Sequence, residues 1–264
     1  TYSVCACTGE GTASQQIGQL VLSGPKESTF QCGLGHSCEF ELQGYGLEAG
    51  DSVGIFESCP DEEVLMFSGF GGLASSREGS GFKMPTIRNL NASDRKDPGT
   101  FALCWCRPGN MSDCTSPSAH KTPAGLITAM GPYSLQSVAC LLGSECEISL
   151  RGVGMTDGRL MLLSGSCNST TNMTDMLTPT NSAGTLFTLP ALGLELFGPQ
   201  EASLCWCKPD GDAISCSEPQ EFMALAASLA LQCPEGFHAG SSSCLTCPYG
   251  GICNGGSDHL LDCD

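Results

Sequence analysis

Cysteine is the residue that offers the most chemistry in this sequence, since 19 of the 264 residues are cysteines. Thiols bind metals, carry out redox reactions or form disulfides. In a reducing cytosol so many thiols would need metals or constant reduction, whereas outside the cell they cross-link the chain. Four N-glycosylation sequons favour the extracellular alternative, because such acceptors lie on surface loops of secreted proteins. The predicted glycosylation sites are Asn91, Asn110, Asn168 and Asn172.

The other residues with reactive side chains match no catalytic or metal-binding motif. The 4 histidines lack the spacing of a metalloprotease site. Cys244 and Cys247 form a CxxC that could bind zinc with a histidine, but a CxxC in a disulfide-rich segment is more often bridged. The acidic stretches at 61–63 and 210–212 could bind calcium, although such stretches are more often solvated turns. We expect no enzyme activity, no cofactor and no metal site.

The charge balance excludes one class of partner. The chain has 11 Lys and Arg against 28 Asp and Glu, a formal net charge of −17. Binding nucleic acid requires clustered basic side chains to neutralise phosphates, so we expect no nucleic-acid partner. The longest apolar run, residues 222–231, is about half as long as a membrane helix requires. We therefore expect no membrane span in this chain, which agrees with a secreted protein or one on the extracellular surface.

An internal repeat predicts which elements position the cysteines. The motif LCWC occurs at 103–106 and again at 204–207. Three further cysteines recur 108 residues later, and several glycines keep a similar spacing. Self-similarity over about 100 residues indicates repeated structural units. We predict two tandem modules, at 18–118 and 125–220.

Each module has the pattern of β-strands. In CEFELQG at 38–44 apolar and polar residues alternate, and CEISLRG at 146–152 repeats this alternation. A period of two is typical of a strand with one buried face. Trp105 and Trp206 could be carbohydrate platforms, but a strand tryptophan beside disulfides more often packs in the core. We predict an all-β fold with two tandem, disulfide-stapled, Ig-like antiparallel β-sandwiches.

The two cysteines of LCWC must have different partners. Cys104 and Cys106 lie on one face of a strand at positions i and i+2, where a disulfide between them is unfavourable. Cys106 and Cys114 flank a turn, as do Cys32 and Cys38, so both are candidate pairs. Six cysteines allow fifteen connectivities, which leaves the connectivity open. Structural disulfides are predicted among Cys32, Cys38, Cys59, Cys104, Cys106 and Cys114, and among Cys140, Cys146, Cys167, Cys205, Cys207 and Cys216.

Segments of a different kind flank the two modules. The C-terminal segment is rich in Cys, Pro, Gly and Ser and has too few apolar residues for a core, so disulfides must hold it together. We predict a small cysteine-rich module at 221–264, with structural disulfides among Cys233, Cys244, Cys247 and Cys253. Residues 1–17 are predicted to be a strand and linker that resemble the end of a preceding module.

The motifs resemble those of a known protein family. The combination of C-x-L-G-x-x-C at 32–38, G-x-G-[LM] at 44–47 and a closing L-C-W-C resembles modules of large extracellular cysteine-rich repeat proteins of alveolate protists. The tail sequence CPEGFHAGSSSCLTCPYGGIC at 233–253 is similar to the ephrin-receptor-like cysteine-rich modules that accompany them. The resemblance implies a surface, appendage or secretory-organelle protein rather than an enzyme.

Both terminal segments suggest a mode of assembly. SVCAC at 3–7 looks like the last strand of a module, and 221–233 looks like the opening strand of a further one. Strand addition between such ends would join subunits head to tail and build a fibre. The candidate intermolecular contacts are Cys5, Cys7 and Cys263. Because the total of 19 cysteines is odd, a truncated longer repeat protein is the competing explanation.

Together these observations predict a structural extracellular glycoprotein. It would be a subunit or segment of a cell-surface appendage, coat or filament, would self-associate into a homopolymer and would carry N-linked glycans. The alternative is an adhesin or receptor ectodomain fragment that binds a partner protein or glycan. A secreted enzyme is a third hypothesis, and it would need a catalytic constellation that the motifs do not supply.

Overall fold

The protein is described by a computed structural model over residues 2–7, 14–59, 61–67, 69–87, 96–109, 113–167, 176–194, 200–210, 214–240, 243–248 and 253–255. Within these residues the regular structure is almost entirely β, and the helical segments are the short 3₁₀ turns Pro117–Ala119 and Pro219–Glu221. The predicted all-β fold class is confirmed. In the described part of the chain, no helix has the length and apolar character needed to cross a membrane.

The strands follow the chain in four groups. An N-terminal hairpin is formed by β1 (Tyr2–Cys7) and β2 (Ser14–Leu20). The first module contains β3 (Gly24–Pro25), β4 (Ser28–Gly33), β5 (Glu39–Glu41), β6 (Gly44–Tyr45), β7 (Ser52–Phe56), β8 (Gly69–Phe70), β9 (Leu73–Ser75), β10 (Gly81–Lys83), β11 (Thr86–Ile87), β12 (Gly99–Cys106) and β13 (Thr122–Pro132). The second contains β14 (Ser137–Leu141), β15 (Cys146–Ser149), β16 (Gly152–Val153), β17 (Arg159–Leu163), β18 (Leu186–Leu189), β19 (Gln200–Cys207) and β20 (Ala224–Gln232). The tail contains β21 (Phe237–Ala239) and β22 (Cys244–Thr246).

Each module is a β-sandwich around aromatic and aliphatic side chains. In the first module, a large sheet in the order β13-β12-β7-β9, with β4 also paired to β13, packs against the short pairs β5–β10 and β8–β11. Phe30 of β4 stacks on Phe40 of β5 with ring centroids 4.6 Å apart. Phe101 of β12 lies against Phe67, whose ring centroid is 5.2 Å away. The second module repeats this plan with the sheet β14-β20-β19-β17 and the pair β15–β18.

One strand pairing in each module is parallel, although antiparallel sandwiches were predicted. Strand β4 runs parallel to β13, and β14 runs parallel to β20. The first and last long strands of a module therefore point in the same direction. As a result, the chain enters each module at one end and leaves it at the other, which is the geometry that a row of modules needs.

The sheet pairing also differs from the predicted module boundaries. Residues 122–132 pair with β12 and β4 and so complete the first sandwich, whereas a module boundary was predicted between 118 and 125. Residues 224–232 lie between β14 and β19 in the second sandwich, so this segment is not the opening strand of a further module. Both boundaries were predicted too early, because they were placed after the last cysteine of each module and the last strand follows that cysteine.

Candidate functional site

Among the described residues, each module contains three disulfides at matching positions, and the tail contains two more. In the eight pairs the Cα atoms lie 5.5–5.8 Å apart, within the usual range for a disulfide. The first module has Cys32–Cys38, Cys59–Cys104 and Cys106–Cys114. The second has Cys140–Cys146, Cys167–Cys205 and Cys207–Cys216. The tail has Cys233–Cys244 and Cys247–Cys253.

The LCWC strand is fastened at two different places. Cys104 bonds Cys59, which follows the neighbouring strand β7, and Cys106 bonds Cys114 across the turn after β12. The indole side chains between these cysteines are turned into the sandwiches, where Trp105 and Trp206 are buried. Burial prevents either ring from being a carbohydrate platform, so both tryptophans contribute to core packing.

The residues considered for metal binding have other roles where the structure describes them. Cys244 and Cys247 of the CxxC are in separate disulfides and present no thiolate to zinc. Asp61 Oδ1 accepts a hydrogen bond from the Glu62 N–H at 2.7 Å, as in a local turn. Among the described residues, no three His, Cys, Asp or Glu side chains are grouped so that they could hold an ion.

Several predicted site residues lie outside the described residues. These are the four sequon asparagines Asn91, Asn110, Asn168 and Asn172, together with Cys263. Cys5 lies in β1, where it is exposed and has a free thiol, and Cys7 ends the same strand.

The most extensive site in the described chain is the module joint, where strand β13 and the loop 33–36 meet the second module. Strand β13 completes the first sandwich, and its last residues Gly131 and Pro132 pair with Val153 and Gly152 of β16. The end of β13 thus pairs with a short strand of the second module, and this pair extends the large sheet of the first module. The hydrophobic core is accordingly one continuous cluster through both sandwiches.

The loop 33–36 packs against the second module at the joint. A Cβ added at Gly35 would lie 3.1 Å from the backbone nitrogen of Ala224, and one added at Gly33 would lie 3.4 Å from Cβ of Lys208. His36 Nε2 is 3.4 Å from Sγ of Cys207, whose disulfide belongs to the second module. The joint is therefore formed by close contact between two folded units.

Electrostatics at the joint centre on His36. Burial lowers the pKa of this imidazole below its usual 6.5, and the carboxylates of Glu221 and Asp210 act in the opposite direction. The ring is thus held mainly neutral against the Cys207–Cys216 disulfide at neutral pH.

A basic residue after each LCWC motif binds the loop that follows the short strand β6 or β16 of its module. Lys208 Nζ donates to the carbonyl oxygens of Gly154 at 3.3 Å and Thr156 at 2.8 Å. In the first module Arg107 donates to the Gly46 carbonyl and to Ser23 Oγ, the latter at 2.9 Å. Ser23 precedes β3, which pairs with β6 as Gly131–Pro132 pairs with β16. The N-terminal hairpin therefore leads into the first module as β13 leads into the second.

The sequence motifs did not reveal the residues of the joint. His36 and Cys207 are separated by 171 residues, and no local pattern connects them. The matched C-x-L-G-x-x-C loops were the available signal, because a repeated glycine loop outside the strands indicates a position of close approach.

Comparison with known proteins identified one curated relative and a set of solved structures. "Cysteine repeat modular protein B" of Toxoplasma gondii, an alveolate, is 21% identical over 170 residues, which are 62% of this chain and 2% of that protein. The chain thus resembles a small part of a very long cysteine-rich repeat protein. No family of known domains matches the sequence.

The solved structures that were found include tandem immunoglobulin domains and fibronectin(III)-like modules. A three-immunoglobulin fragment of titin is 12% identical, with 79% of this chain and 63% of that chain covered and a TM-score of 0.23. The first two immunoglobulin domains of DIP-gamma are 12% identical, with 78% and 95% covered and a TM-score of 0.23. These scores are low, so the architecture described above rests on the strand pairing itself.

Proposed function

We propose that this chain is a segment of a structural extracellular glycoprotein, part of a cell-surface appendage, coat or filament. The observation that carries the proposal is the joint without a linker, in which Gly131 and Pro132 of β13 pair with the second module. Modules joined by a flexible linker would reorient freely. A strand of the first module that pairs directly with the second module instead fixes their relative orientation, as a load-carrying or shape-determining protein requires.

The direction of the strands supports a row of modules. Since β4 is parallel to β13 and β14 is parallel to β20, each module passes the chain on at the end opposite to its entry. Repetition of one joint then produces a rod or superhelix, as in other solenoid-like arrays. The long cysteine-rich relative is consistent with such repetition.

The composition suits an exposed, oxidising environment. The eight disulfides of the described residues restrict the unfolded chain and protect a surface protein from unfolding and proteolysis. The net charge of −17 keeps such a surface soluble. Glycans on the four sequons, an ephrin-receptor-like character of the tail and the absence of enzyme activity are parts of this proposal.

Head-to-tail self-association remains part of the proposal, with its site moved to the N-terminal hairpin. The segment 224–232 is occupied on both edges and cannot donate or accept a strand. The edges of β1 and β2 that face away from each other pair with nothing among the described residues. Strand addition at these edges would extend the row.

Negative-stain electron microscopy of the unreduced, natively purified protein tests the proposal. We expect the two modules to keep one constant angle in every particle, and filaments with a regular subunit repeat where the protein self-associates. Separate two-bead particles in which the angle between the two modules varies widely would refute the structural role. The adhesin or receptor ectodomain would then be the better explanation. Enzymatic removal of N-glycans, followed by mass measurement, checks the glycoprotein assignment independently.

A further inference from the structure

The N-terminal hairpin matches the closing hairpin of both complete modules in register. Strands β12 and β13 pair antiparallel with a bulge between Leu103 and Cys104, and β19 and β20 have theirs between Leu204 and Cys205. Strands β1 and β2 pair in the same way, with the bulge between Val4 and Cys5. The hairpin β1–β2 is therefore a module's closing hairpin.

The core-facing positions of this hairpin are apolar but uncovered. Tyr2, Val4, Leu20 and Leu22 are 61%, 40%, 49% and 58% exposed. By register and spacing, their counterparts in the first module are Phe101, Leu103, Ile127 and Ala129, which are at most 8% exposed. The counterparts in the second module are Ala202, Leu204, Leu229 and Leu231, which are at most 5% exposed. Exposed apolar residues at positions that are core in both complete copies indicate a missing cover.

The complete modules show what this cover is. Strand β7 pairs antiparallel with the outer edge of β12, and β4 covers the outer edge of β13. In the second module β17 and β14 take the same places. A two-stranded hairpin is at best marginally stable alone, so its apolar face gains most from such strands.

The free thiol of Cys5 indicates in which register a strand would pair with the outer edge of β1. Its counterparts Cys104 and Cys205 bond Cys59 and Cys167, which follow β7 and β17 by a few residues. Cys5 itself is exposed and free. A β7-type strand in the same register would bring its own cysteine to Cys5.

We propose that the hairpin β1–β2 is an acceptor for the β7-type strand of another module of this kind, sealed by a disulfide to Cys5. The proposal rests on the proposed function for the class of partner. A second copy in its folded form can add an edge strand but cannot form this disulfide, because Cys59 and Cys167 are already bonded. The occupant is a module segment whose cysteine is still available, with an Ile55-type residue opposite Val4 and a Gly54-type residue opposite Cys5, as β7 lies on β12.

The sealing step is a thiol–disulfide exchange. The Cys5 thiol loses its proton to solvent, and its thiolate attacks the sulfur of the incoming cysteine, which arrives as a mixed disulfide with a small thiol. The new bond joins Cys5 to the incoming sulfur, the old mixed disulfide breaks, and the small thiolate leaves and takes up a proton. No net oxidation occurs.

The test uses the full chain and a peptide of residues 51–59, DSVGIFESC, whose cysteine is a mixed disulfide with glutathione. We expect the peptide to attach to Cys5, with release of glutathione, about 10-fold faster than a scrambled peptide with the same terminal cysteine, because strand pairing raises the local concentration. Hydrogen exchange at the amides of residues 2–7 should slow at the same time. Val4→Asp should abolish the preference for the correct sequence.

Equal rates for the two peptides, with no slowing of exchange, would mean adventitious thiol exchange only and would overturn the proposal. A second measurement fuses residues 24–99 to Thr1, which rebuilds a module around β1–β2. Non-reducing peptide mapping should then find Cys5 bonded to the second copy of the Cys59 sequence, and a free Cys5 there would also overturn the proposal. Both results are independent of the angle between the two modules, so failure here is distinguishable from failure of the proposed function.

Discussion

The pair Asp51 and Arg107 shows how one buried charge fixes the entry of a module. Asp51 is 1% exposed, and its two carboxylate oxygens each accept a hydrogen bond of 3.1 Å from the Arg107 guanidinium. The hydrogen bond to Asp51 raises the pKa of Arg107 above its usual value. The same guanidinium contacts Ser23 and lies 5.3 Å from the Trp105 ring centroid. One side chain thus links the core, a buried acid and the segment between the N-terminal hairpin and β3.

We expect Arg107→Ala to destabilise the first module by about 3 kcal/mol, because it leaves the Asp51 carboxylate buried without its partner. The partly exposed guanidinium keeps the cost near the lower end of the range for broken buried pairs. Arg107→Lys should recover only part of the lost stability, since an ammonium group cannot form the bidentate hydrogen bond to Asp51. Denaturant unfolding measures the changes, and Asp51→Asn/Arg107→Ala is the control. A single variant no less stable than this double variant would contradict the role of the pair.

Buried His120 makes the first module sensitive to acid. Its Nε2 is 3.0 Å from Ser52 Oγ, Nδ1 is 3.1 Å from the Ser116 carbonyl oxygen, and burial lowers its pKa below 6.5. The unfolded chain takes up a proton near pH 6.5 while the folded module does not. Stability is therefore complete above this pH and falls as the pH drops toward the lowered folded pKa.

Replacing this histidine should flatten the pH dependence. The second module has buried Phe222 at the equivalent place before its last strand. The variant Ser52→Ala/His120→Phe therefore places the same side chain at this position of the first module. Between pH 7 and 5, the free energy of unfolding should depend less steeply on pH in the double variant than in Ser52→Ala alone. The difference in slope should be up to about 1.4 kcal/mol per pH unit. Denaturant titrations at pH 7, 6 and 5 measure this slope. Identical slopes would show that His120 has the same pKa in the folded module as in the unfolded chain and would contradict this explanation.

At the scale of elements, the pairing of β4 onto β13 depends on one glycine. Gly125 has φ +132°, and a Cβ there would lie 1.8 Å from the Ser28 carbonyl oxygen. Gly125→Ala should therefore separate β4 from β13 and cost about 3 kcal/mol or more. Hydrogen exchange in residues 28–33 reports the separation. Gly18→Ala, at the equivalent place in β2, is the matched control because nothing lies within 4 Å of its added Cβ; equal effects would contradict this explanation.

The elements were predictable where a pattern repeats locally, and unpredictable where distant segments meet. The alternation in 38–44 predicted the strand correctly, since Phe40 and Leu42 are buried while Glu39, Glu41 and Gln43 are exposed. The same kind of reasoning placed β13 in the wrong module, because its apolar residues suit either sandwich and its partner β4 lies about 100 residues earlier. The parallel direction of that pair has no local sequence signal. Contacts across the joint, such as His36 with Cys207, also escape pattern reasoning for this reason.

At the scale of the whole molecule, the disulfide Cys207–Cys216 serves both the second module and the joint. Both cysteines are fully buried in a small cluster with Met161, Leu163 and Phe222, and His36 of the first module lies against Cys207. The equivalent disulfide Cys106–Cys114 belongs to the first module and joins cysteines at nearly the same sequence separation, 8 against 9. Removing each of these two disulfides in turn therefore separates the effect of losing a disulfide from the effect of loosening the joint.

We expect Cys207→Ser/Cys216→Ser and Cys106→Ser/Cys114→Ser each to destabilise its own module by about 3 kcal/mol, since each frees a loop of similar size in the unfolded chain. Only the first should also loosen the joint, because it removes the surface on which the loop 33–36 packs. Small-angle X-ray scattering should then show a wider distribution of overall dimensions for Cys207→Ser/Cys216→Ser while the other variant keeps the wild-type profile. If both variants kept that profile, the shared strand β13 would fix the orientation of the modules by itself. If both broadened it, the stiffness would depend on the stability of each module rather than on contacts at the joint.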